Sequence, residues 1–346
     1  MSKHHYARVL AGSGRPVIFV DPAVHGQRDW RLEPVDALPG VRVLRGPRVA
    51  PGLRFMPAAL RRGLEARWLA RVEAMAGDRI DTVWLFENSR FFDMGFAGDR
   101  LKIYHQVDLN QDFHPLQAVR TADVALCTTD IIRERLRPAG RAVHKVHHGA
   151  AVLDALQTVE TGAFAPDRPN ALYIGNLDMP YMDVPALERL VQGHPGVLFH
   201  FVGGHGPETP LFRRCGTAEN TRFHGKLPFR SIPALLDRAD VLMVAYTVAD
   251  FRDQLASPHK FMEYFLSGKT VVCSYTDEYK DKRHLVEMAD PDADIAPIFA
   301  RVIRDLPRYN APGRMAERQA FARDHSYQRQ LERIAQIVRD TTGRTL

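Results

Sequence analysis

Cysteine is scarce in this sequence: only Cys127, Cys215 and Cys273 occur among 346 residues. They lie far apart, and neither a C-x-x-C pair nor a zinc-ligand spacing is present. This excludes a disulfide-rich secreted scaffold and a zinc-finger domain. A sparse, odd number of cysteines is typical of a reducing compartment, in which thiols stay buried and unoxidised.

Long apolar runs are also absent. No stretch approaches the roughly 18 apolar residues that a membrane-spanning helix needs. The opening residues, MSKHHYARVLAGSGRP, are basic but hold only a short apolar stretch, so they do not predict a signal peptide. Neither internal repeats nor a low-complexity tract occurs. We therefore expect a soluble cytoplasmic protein.

Charge of one sign is not strongly in excess. Lys plus Arg number 47 and Asp plus Glu number 41, which gives a formal net charge of +6. Hydrophobic residues make up 45% of the chain, enough for folded cores, and at about 150 residues per domain the length predicts two domains. The small positive excess suggests an anionic partner without distinguishing nucleic acid, lipid headgroups and phosphorylated small molecules.

Short apolar runs rich in β-branched and aromatic residues alternate with helix-like stretches along the whole chain. Such alternation predicts an α/β fold with buried parallel sheets. The predicted strands are Val17–Val20, Thr82–Phe86, Lys102–Val107, Val124–Cys127, Val143–Val146, Ala171–Ile174, Val197–Val202, Arg222–His224, Val241–Ala245 and Val271–Cys273.

The alternation lapses in one place, and there we place the domain boundary. The segment Thr161–Asn170 (TGAFAPDRPN) is rich in Pro, Gly and polar residues. The predicted domains are residues 1–155 and 168–325, followed by a closing helix at 326–346. The first domain opens with a helix-like piece, Tyr6–Ala11, before its first strand. Either this fold lacks its first strand, or the chain starts downstream of the natural start.

The most informative segment is Ser257–Gly268, with the sequence SPHKFMEYFLSG. Ser257 is a good helix N-cap, Pro258 suits the first helical position, and Gly268 suits a C-cap. The segment therefore predicts a helix that starts at Pro258. Its position between two predicted buried strands puts the helix N-terminus at the carboxyl edge of a parallel sheet, where α/β proteins bind ligands.

The charged residues of this helix suggest what it binds. Lys260 lies in the first turn, where unpaired backbone N–H groups and the helix dipole already favour an anion. Glu263 follows three residues later on the same face. A nucleotide fits this pair, with its diphosphate at Lys260 and its ribose hydroxyls at Glu263. The alternative is an ordinary capped helix with a solvated Lys and Glu.

The stretch Leu235–Ser274 resembles the donor-binding region of GT-B glycosyltransferases of the family-four-like group. The resemblance lies in the order of an Ala-Asp pair, an apolar strand, S-P-x-K-x-x-E-Y, a glycine and a second strand. Three further segments agree in order and spacing: Ala171–Asp178, Val197–Gly204 and Phe223–Lys226. The donor-binding residues so predicted are Gly175, Asn176, Gly225, Lys226, Ser257, Pro258, His259, Lys260 and Glu263.

The resemblance implies two Rossmann-like domains facing a cleft, with the acceptor held by the first and the donor by the second. It implies that Lys260 is a phosphate ligand and Glu263 a ribose ligand, and that the closing helix packs back toward the first domain. Two family features are missing. No basic residue follows the first glycine turn, and the second Glu upstream of Glu263 is absent. Lys260 is therefore expected to carry most of the phosphate charge compensation, and retention or inversion stays open.

Candidate residues for catalysis and acceptor binding follow predicted strands of the first domain. Asp108, Asp112 and His114 are catalytic candidates, and the alternative is a loop of Asx turns that caps the next helix. The acceptor-binding candidates are Glu87, Asn88, Ser89 and His148. We expect no metal and no cofactor, because neither a metal-ligand spacing nor a D-x-D in a metal-binding context occurs.

A basic amphipathic helix is predicted at Phe55–Met75. Its apolar side would hold Leu60 and Trp68, with four arginines nearby, so it could dock onto anionic lipid. The alternative is a packed helix with a solvated basic face.

Together these features predict an enzyme that moves a sugar from a nucleotide-sugar to a saccharide or lipid-linked acceptor. The expected setting is surface polysaccharide or glycoconjugate biosynthesis in the cytoplasm, with peripheral contact at the inner face of the membrane as an open alternative. The alternatives are a nucleotide-sugar epimerase of the same fold and a non-catalytic homologue that binds nucleotide-sugars. No nucleic-acid-binding motif occurs.

Overall fold

The structure is a computed structural model that describes residues 2–23, 26–86, 90–109, 114–152 and 163–346. The chain divides into two compact units. Unit 1 comprises Met1–His148 and Tyr327–Leu346, and unit 2 comprises Gly149–Ser326. The change of unit at Gly149 precedes the predicted boundary at 155, and the predicted closing helix is part of unit 1.

Unit 1 consists of a leading helix, two small sheets and the helices that cover them. β1 pairs in parallel with β3, which pairs antiparallel with β2, and the second sheet, β4-β5-β6-β7, is parallel throughout. The elements are α1 (Ser2–Gly12), β1 (Val17–Val20), β2 (Arg31–Pro34), β3 (Val41–Arg45), α2 (Ala58–Ala76), β4 (Thr82–Leu85), β5 (Leu101–Gln106), α3 (Pro115–Thr121), β6 (Val124–Cys127), α4 (Asp130–Leu136) and β7 (Val143–Lys145).

Unit 2 is built on one sheet of six parallel strands in the order β10-β9-β8-β11-β12-β13. The elements are β8 (Asn170–Ile174), α5 (Val184–Gly193), β9 (Leu198–Val202), α6 (Pro210–Cys215), β10 (Thr221–Gly225), α7 (Ile232–Arg238), β11 (Val241–Val244), α8 (Val248–Phe251), α9 (Lys260–Ser267), β12 (Thr270–Cys273), β13 (Glu287–Met288), α10 (Ala296–Arg304), α11 (Leu306–Tyr309) and α12 (Pro312–Asp324).

The strand order of unit 2 reverses between β8 and β11. From β8 the chain proceeds outward through β9 and β10, and from β11 it proceeds the other way through β12 and β13. Such a reversal leaves a crevice beyond the carboxyl ends of the two strands, where open α/β sheets bind ligands. The central strands are apolar and buried on both faces, as parallel strands covered by helices must be.

The last helix, α13 (Tyr327–Thr342), returns to unit 1 and packs on α1. Its buried side recurs at helical spacing in Tyr327, Leu331, Ile334 and Val338. Gln330 is buried as well, and its amide donates to the carbonyl of His147 at 3.0 Å.

Helix α2 differs from the predicted basic amphipathic helix. Arg61 is buried, and both Arg61 and Arg62 form ion pairs with the buried carboxylate of Asp93, so Arg61 is withdrawn from a solvated face while the side chain of Arg62 stays 42% exposed. Leu60, predicted on the apolar side with Trp68, is 55% exposed. Glu65 is fully buried, and burial raises its pKa to about 7. The ion pairs of Arg61 and Arg62 with Asp93 therefore help to anchor α2 within unit 1.

Disulfide bonds and membrane-spanning helices are not expected from the sequence, and the described part of the chain bears on both. The three cysteines are buried and none forms a disulfide, as predicted. Over the ranges that the structure describes, no helix combines the length and apolarity needed to cross a bilayer.

Candidate functional site

The helix predicted to start at Pro258 starts two residues later. α9 begins at Lys260 and ends at Ser267, and the positive φ of 76° at Gly268 makes this residue the expected C-cap. Ser257 does not cap α9, because the N-cap position falls at His259, which forms no side-chain cap hydrogen bond. Lys260 is thus the first residue of the helix, closer to its N-terminus than predicted.

Lys260 lies against the aromatic side chains at the point where the strand order reverses. Its Nζ is 3.9 Å from the ring centroid of Tyr173, at the end of β8. It is 5.3 Å from the ring centroid of Tyr246, which follows β11. The ammonium group therefore packs against two aromatic rings at the carboxyl edge of the sheet.

The ammonium of Lys260 is short of compensating charge. Among the described residues no carboxylate forms an ion pair with it, and burial lowers its pKa to about 7. A half-buried ammonium at this position favours an anionic ligand, because the anion supplies the missing charge and raises the pKa of the lysine.

Two glycine turns meet beside this cation. Gly175 follows β8, and a Cβ there would lie 2.7 Å from Nζ of Lys260. Gly203 follows β9, and a Cβ on it would overlap the carbonyl oxygen of Gly175. The N–H of Gly203 donates to the carbonyl of Gly225 at 2.9 Å, and this hydrogen bond links the turn after β9 to the end of β10. Only glycine permits this closeness of backbone to backbone and to the ammonium.

A second lysine borders the same turns. Lys226 is exposed, and its Cε lies 2.6 Å from the position that a Cβ on Gly204 would occupy. Because Gly204 is next to Gly203, both lysines lie close to the two glycine turns, Lys260 at Gly175 and Lys226 at Gly204. Lys226 thus brings a cationic side chain to the predicted donor site.

Asn176 shapes the first turn. Its Oδ1 accepts a hydrogen bond from the N–H of Asp178 at 3.1 Å, as in an Asx turn. The side chain is therefore committed to the turn after β8, and the contribution of Asn176 to ligand binding would come from its backbone.

Glu263 lies at a separate small cavity of about 150 Å³. Burial raises the pKa of its carboxyl group. Apolar residues of α7 and of the segment before it, Phe229, Ile232 and Pro233, line the cavity with Asp237. Phe229 remains 40% exposed. A half-buried carboxyl beside an apolar surface suits a sugar hydroxyl next to a flat base.

The catalytic candidates belong to unit 1. Asp108 is exposed just beyond the end of β5, and its carbonyl accepts from the side chain of Gln106. His114 precedes α3 with a positive φ of 53°, and its ring packs at a tilt against that of Phe92 with centroids 4.1 Å apart. Asp112 lies outside the described residues.

The acceptor-binding candidates also belong to unit 1. The N–H of Val146, just after β7, donates to the carbonyl of Cys127 on the neighbouring strand. His148 is buried two residues later, and its Nδ1 lies 3.4 Å from the hydroxyl of Ser2. Glu87, Asn88 and Ser89 lie outside the described residues. Across the described ranges, no group of three or more His, Cys, Asp or Glu has a metal-binding arrangement.

Sequence reasoning missed Tyr173, Tyr246 and Gly203. Each stands at or just beyond the carboxyl end of a predicted strand, β8, β11 and β9 respectively. The available signal was positional: aromatic and glycine residues at neighbouring strand ends of a parallel sheet meet at one edge.

No protein-family model matches the chain, and no curated protein matches it in sequence. Solved structures do match in fold. Sucrose-phosphate synthase from Thermosynechococcus elongatus has a TM-score of 0.69 at 14% identity, over 98% of this chain and 92% of that one. WaaG, a glycosyltransferase involved in lipopolysaccharide biosynthesis, has 0.62 at 12% identity, over 97% and 95%. HepE from Anabaena, in complex with UDP and glucose, has 0.60 at 16%, over 88% and 86%. The chain thus has the GT-B fold of these glycosyltransferases, with two Rossmann-like units.

Proposed function

We propose that the protein is a glycosyltransferase that uses a nucleotide-sugar donor bound in unit 2. The observation that carries this proposal is the desolvated ammonium of Lys260, which stands over the glycine turns at the reversal of strand order. A diphosphate supplies the anion that this cation lacks, and the backbone around Gly175 and Gly203 allows its close approach.

The rest of the donor follows from the neighbouring groups. Glu263 accepts hydrogen bonds from the ribose hydroxyls, and the apolar lining at Phe229 and Pro233 contacts the base. Structures of similar fold support this choice of ligand, since HepE has been solved with UDP-glucose and a trehalose-6-phosphate protein from E. coli with UDP-2-fluoro glucose.

The transfer step requires charge stabilisation at the leaving group. An acceptor hydroxyl attacks the anomeric carbon, the bond to the diphosphate oxygen breaks, and the nucleoside diphosphate departs with the negative charge. Lys260, Lys226 and the N-terminus of α9 stabilise that charge as it develops. Asp108, exposed at the end of β5, is the candidate base for the acceptor proton.

The acceptor class is a saccharide or lipid-linked saccharide, and the setting is the synthesis of surface polysaccharide or glycoconjugate. The similarity in fold to WaaG, involved in lipopolysaccharide biosynthesis, supports this assignment. The two ion-paired arginines of α2 remove part of the basic face suggested for membrane contact, so Arg67 and Arg71 are its remaining candidates.

Calorimetry with UDP, GDP, ADP and CMP, followed by transfer assays with the matching donor sugars, tests this function. We expect Lys260→Met to lower kcat/KM by about 100-fold or more. Glu263→Gln should weaken nucleoside diphosphate binding by about tenfold, because a hydrogen bond to a charged acceptor is lost.

Lys280→Met and Glu219→Gln, both at exposed positions of unit 2, are the matched controls and should behave as the wild type. Wild-type affinity and activity in both site variants would rule out the donor site. Isomerisation of the donor without any acceptor would instead indicate an epimerase.

A further inference from the structure

The start of α2 presents large apolar side chains to water. Among the described residues of unit 1, the large apolar side chains that are exposed are Phe55, at 79%, and Leu60, at 55%. Phe55 ends the short 3₁₀ turn Leu53–Phe55 that precedes α2, and Leu60 lies in the first turn of α2. Two such groups close together in the chain are unfavourable in water and are stabilised by a partner that covers them.

The chain around these two side chains carries no negative charge. From residue 46 to residue 64 it contains four arginines and neither Asp nor Glu. Arg54 is exposed, and its guanidinium lies 4.7 Å from the ring centroid of Phe55. Among the described residues, no carboxylate forms an ion pair with Arg54. The apolar group at position 55 is therefore joined to an uncompensated cation.

The exposed side of α2 continues this positive surface. Arg67 and Arg71 are exposed and follow Leu60 by seven and eleven residues. At helical spacing the three side chains share one face over about 16 Å. Arg71 packs over the ring of Trp30, 4.6 Å from its centroid. The face of α2 that points away from the core thus combines an apolar side chain with two cations.

The carboxylates of α2 do not neutralise these two arginines. Glu65 is fully buried, and Glu73 pairs with Arg100 at 2.6 Å. Within the described part of the chain, neither Arg67 nor Arg71 forms an ion pair. They lie one helical turn apart, and like charges at this spacing repel each other. An anionic partner therefore lowers the electrostatic energy of this face.

These features suit a lipid surface better than a protein partner. A stable protein interface buries roughly 800 Å² per partner around an apolar centre, whereas here the exposed large apolar groups are two side chains at one end of a helix. A helix that lies on a membrane inserts a few bulky apolar side chains, while its arginines contact anionic headgroups. The charge and the apolar groups of this surface together match an anionic bilayer.

We propose that Phe55 and Leu60 insert into an anionic lipid bilayer, while Arg54, Arg67 and Arg71 bind its phosphate headgroups. The side of α2 opposite its buried face then lies along the membrane surface. This docking rests on the proposed function for its purpose, since it brings the enzyme to a lipid-linked acceptor. Lipid binding itself does not depend on donor binding or transfer, so the two are tested separately.

Co-sedimentation of the full chain with vesicles tests this surface. Vesicles of equal parts phosphatidylglycerol and phosphatidylcholine should bind the protein, and pure phosphatidylcholine vesicles should bind it at least about tenfold more weakly. Arg67→Gln combined with Arg71→Gln should weaken binding by about 25-fold, at roughly fivefold for each arginine. Phe55→Ser combined with Leu60→Ser should weaken it by about tenfold or more, because both inserted groups are lost.

The matched control is Arg329→Gln combined with Arg339→Gln, which removes the same charge from exposed positions of α13 in the same unit. It should bind the anionic vesicles as the wild type does. UDP affinity should be unchanged in all of these variants, because unit 2 is untouched. Failure of the lipid surface and failure of the donor site are therefore distinguishable.

Insertion has a readout of its own. The fluorescence that Phe55→Trp adds should be quenched by anionic vesicles whose acyl chains are brominated, because the side chain enters the acyl region. Absence of that quenching would overturn the proposal, and so would equal vesicle binding by the site variants and the control. Binding to polyglutamate without binding to vesicles would assign the surface to an acidic protein and overturn it as well.

Discussion

The ammonium group of Lys260 is largely desolvated, and the described residues supply no opposite charge to it. Its position in the sequence was predictable, because S-P-x-K-x-x-E combines a helix start with a cation and a carboxylate one turn apart. Its surroundings were not, since Tyr173 and Tyr246 come from two other strands that only the sheet brings together. Local spacing singled out Lys260 as the proposed phosphate ligand, whereas the pKa of Lys260 depends on long-range packing.

The lowered pKa of Lys260 gives a pH dependence for donor binding. Burial lowers it to about 7, while a bound diphosphate favours the charged form. Above pH 7 the free protein must take up a proton to bind, so nucleoside diphosphate affinity should fall on the order of tenfold between pH 7 and 8.5. Calorimetry in buffers of different ionisation enthalpy measures both the affinity and the proton uptake.

Lys260→Met is the control for this titration, because it has nothing to protonate. It should bind weakly and with the same affinity at both pH values. Wild-type protein whose affinity is also flat, with no proton taken up, would contradict a neutralised Lys260 in the free state.

At the scale of elements, the buried strands were predictable and the exposed ones were not. Each predicted apolar run coincides with a strand to within two residues at either end. β2 was missed because Arg31–Pro34 alternates charged and apolar residues at the edge of a sheet. β3 was missed because Arg42 and Arg45 interrupt Val41–Arg45, and β13 because two residues carry no pattern. The start of α9 was misplaced by two residues because the N-cap position falls at His259, which forms no side-chain cap hydrogen bond, and not at Ser257.

The turn after β9 depends on glycine for a packing reason that can be tested. A Cβ at Gly203 would overlap the carbonyl oxygen of Gly175, whereas one at Gly206 would meet nothing within 4 Å. We expect Gly203→Ala to lower the free energy of unfolding of unit 2 by about 1–3 kcal/mol, because the backbone must shift. It should also weaken nucleoside diphosphate binding, since the two turns form the proposed phosphate site.

Gly206→Ala is the matched control, and its stability should stay within about 0.5 kcal/mol of the wild type. Urea unfolding and calorimetry measure the two effects. Equal behaviour of the two alanine variants would show that the turns are not packed as described.

At the scale of the whole molecule, the chain leaves unit 1 at His148 and returns to it at Tyr327. Each unit has its own apolar core, and all of the predicted donor-binding residues lie in unit 2. Stability of unit 1 and binding of the donor are therefore separable properties. The last helix, α13, belongs to the first of them through its buried residues and the bond from Gln330 to His147.

Truncating the chain after Ser326 distinguishes the stability of unit 1 from the binding of the donor by unit 2. It loses the buried side of α13, including Leu331 and Ile334, so apolar surface of unit 1 is exposed to water. We expect the thermal transition of unit 1 to fall by at least about 10 °C and transfer activity to disappear. Nucleoside diphosphate affinity should stay within about threefold of the wild type, because unit 2 is complete.

The control is a chain that ends at Thr342, which removes only the residues beyond α13. It should keep both thermal transitions, since the bond from Arg344 to the carbonyl of Asp99 is exposed and weak. Differential scanning calorimetry with and without UDP distinguishes the transitions, because a ligand raises the stability only of the unit that binds it. If UDP raised the transition that truncation at Ser326 lowers, the donor would bind in unit 1, and the assignment of roles to the two units would be wrong.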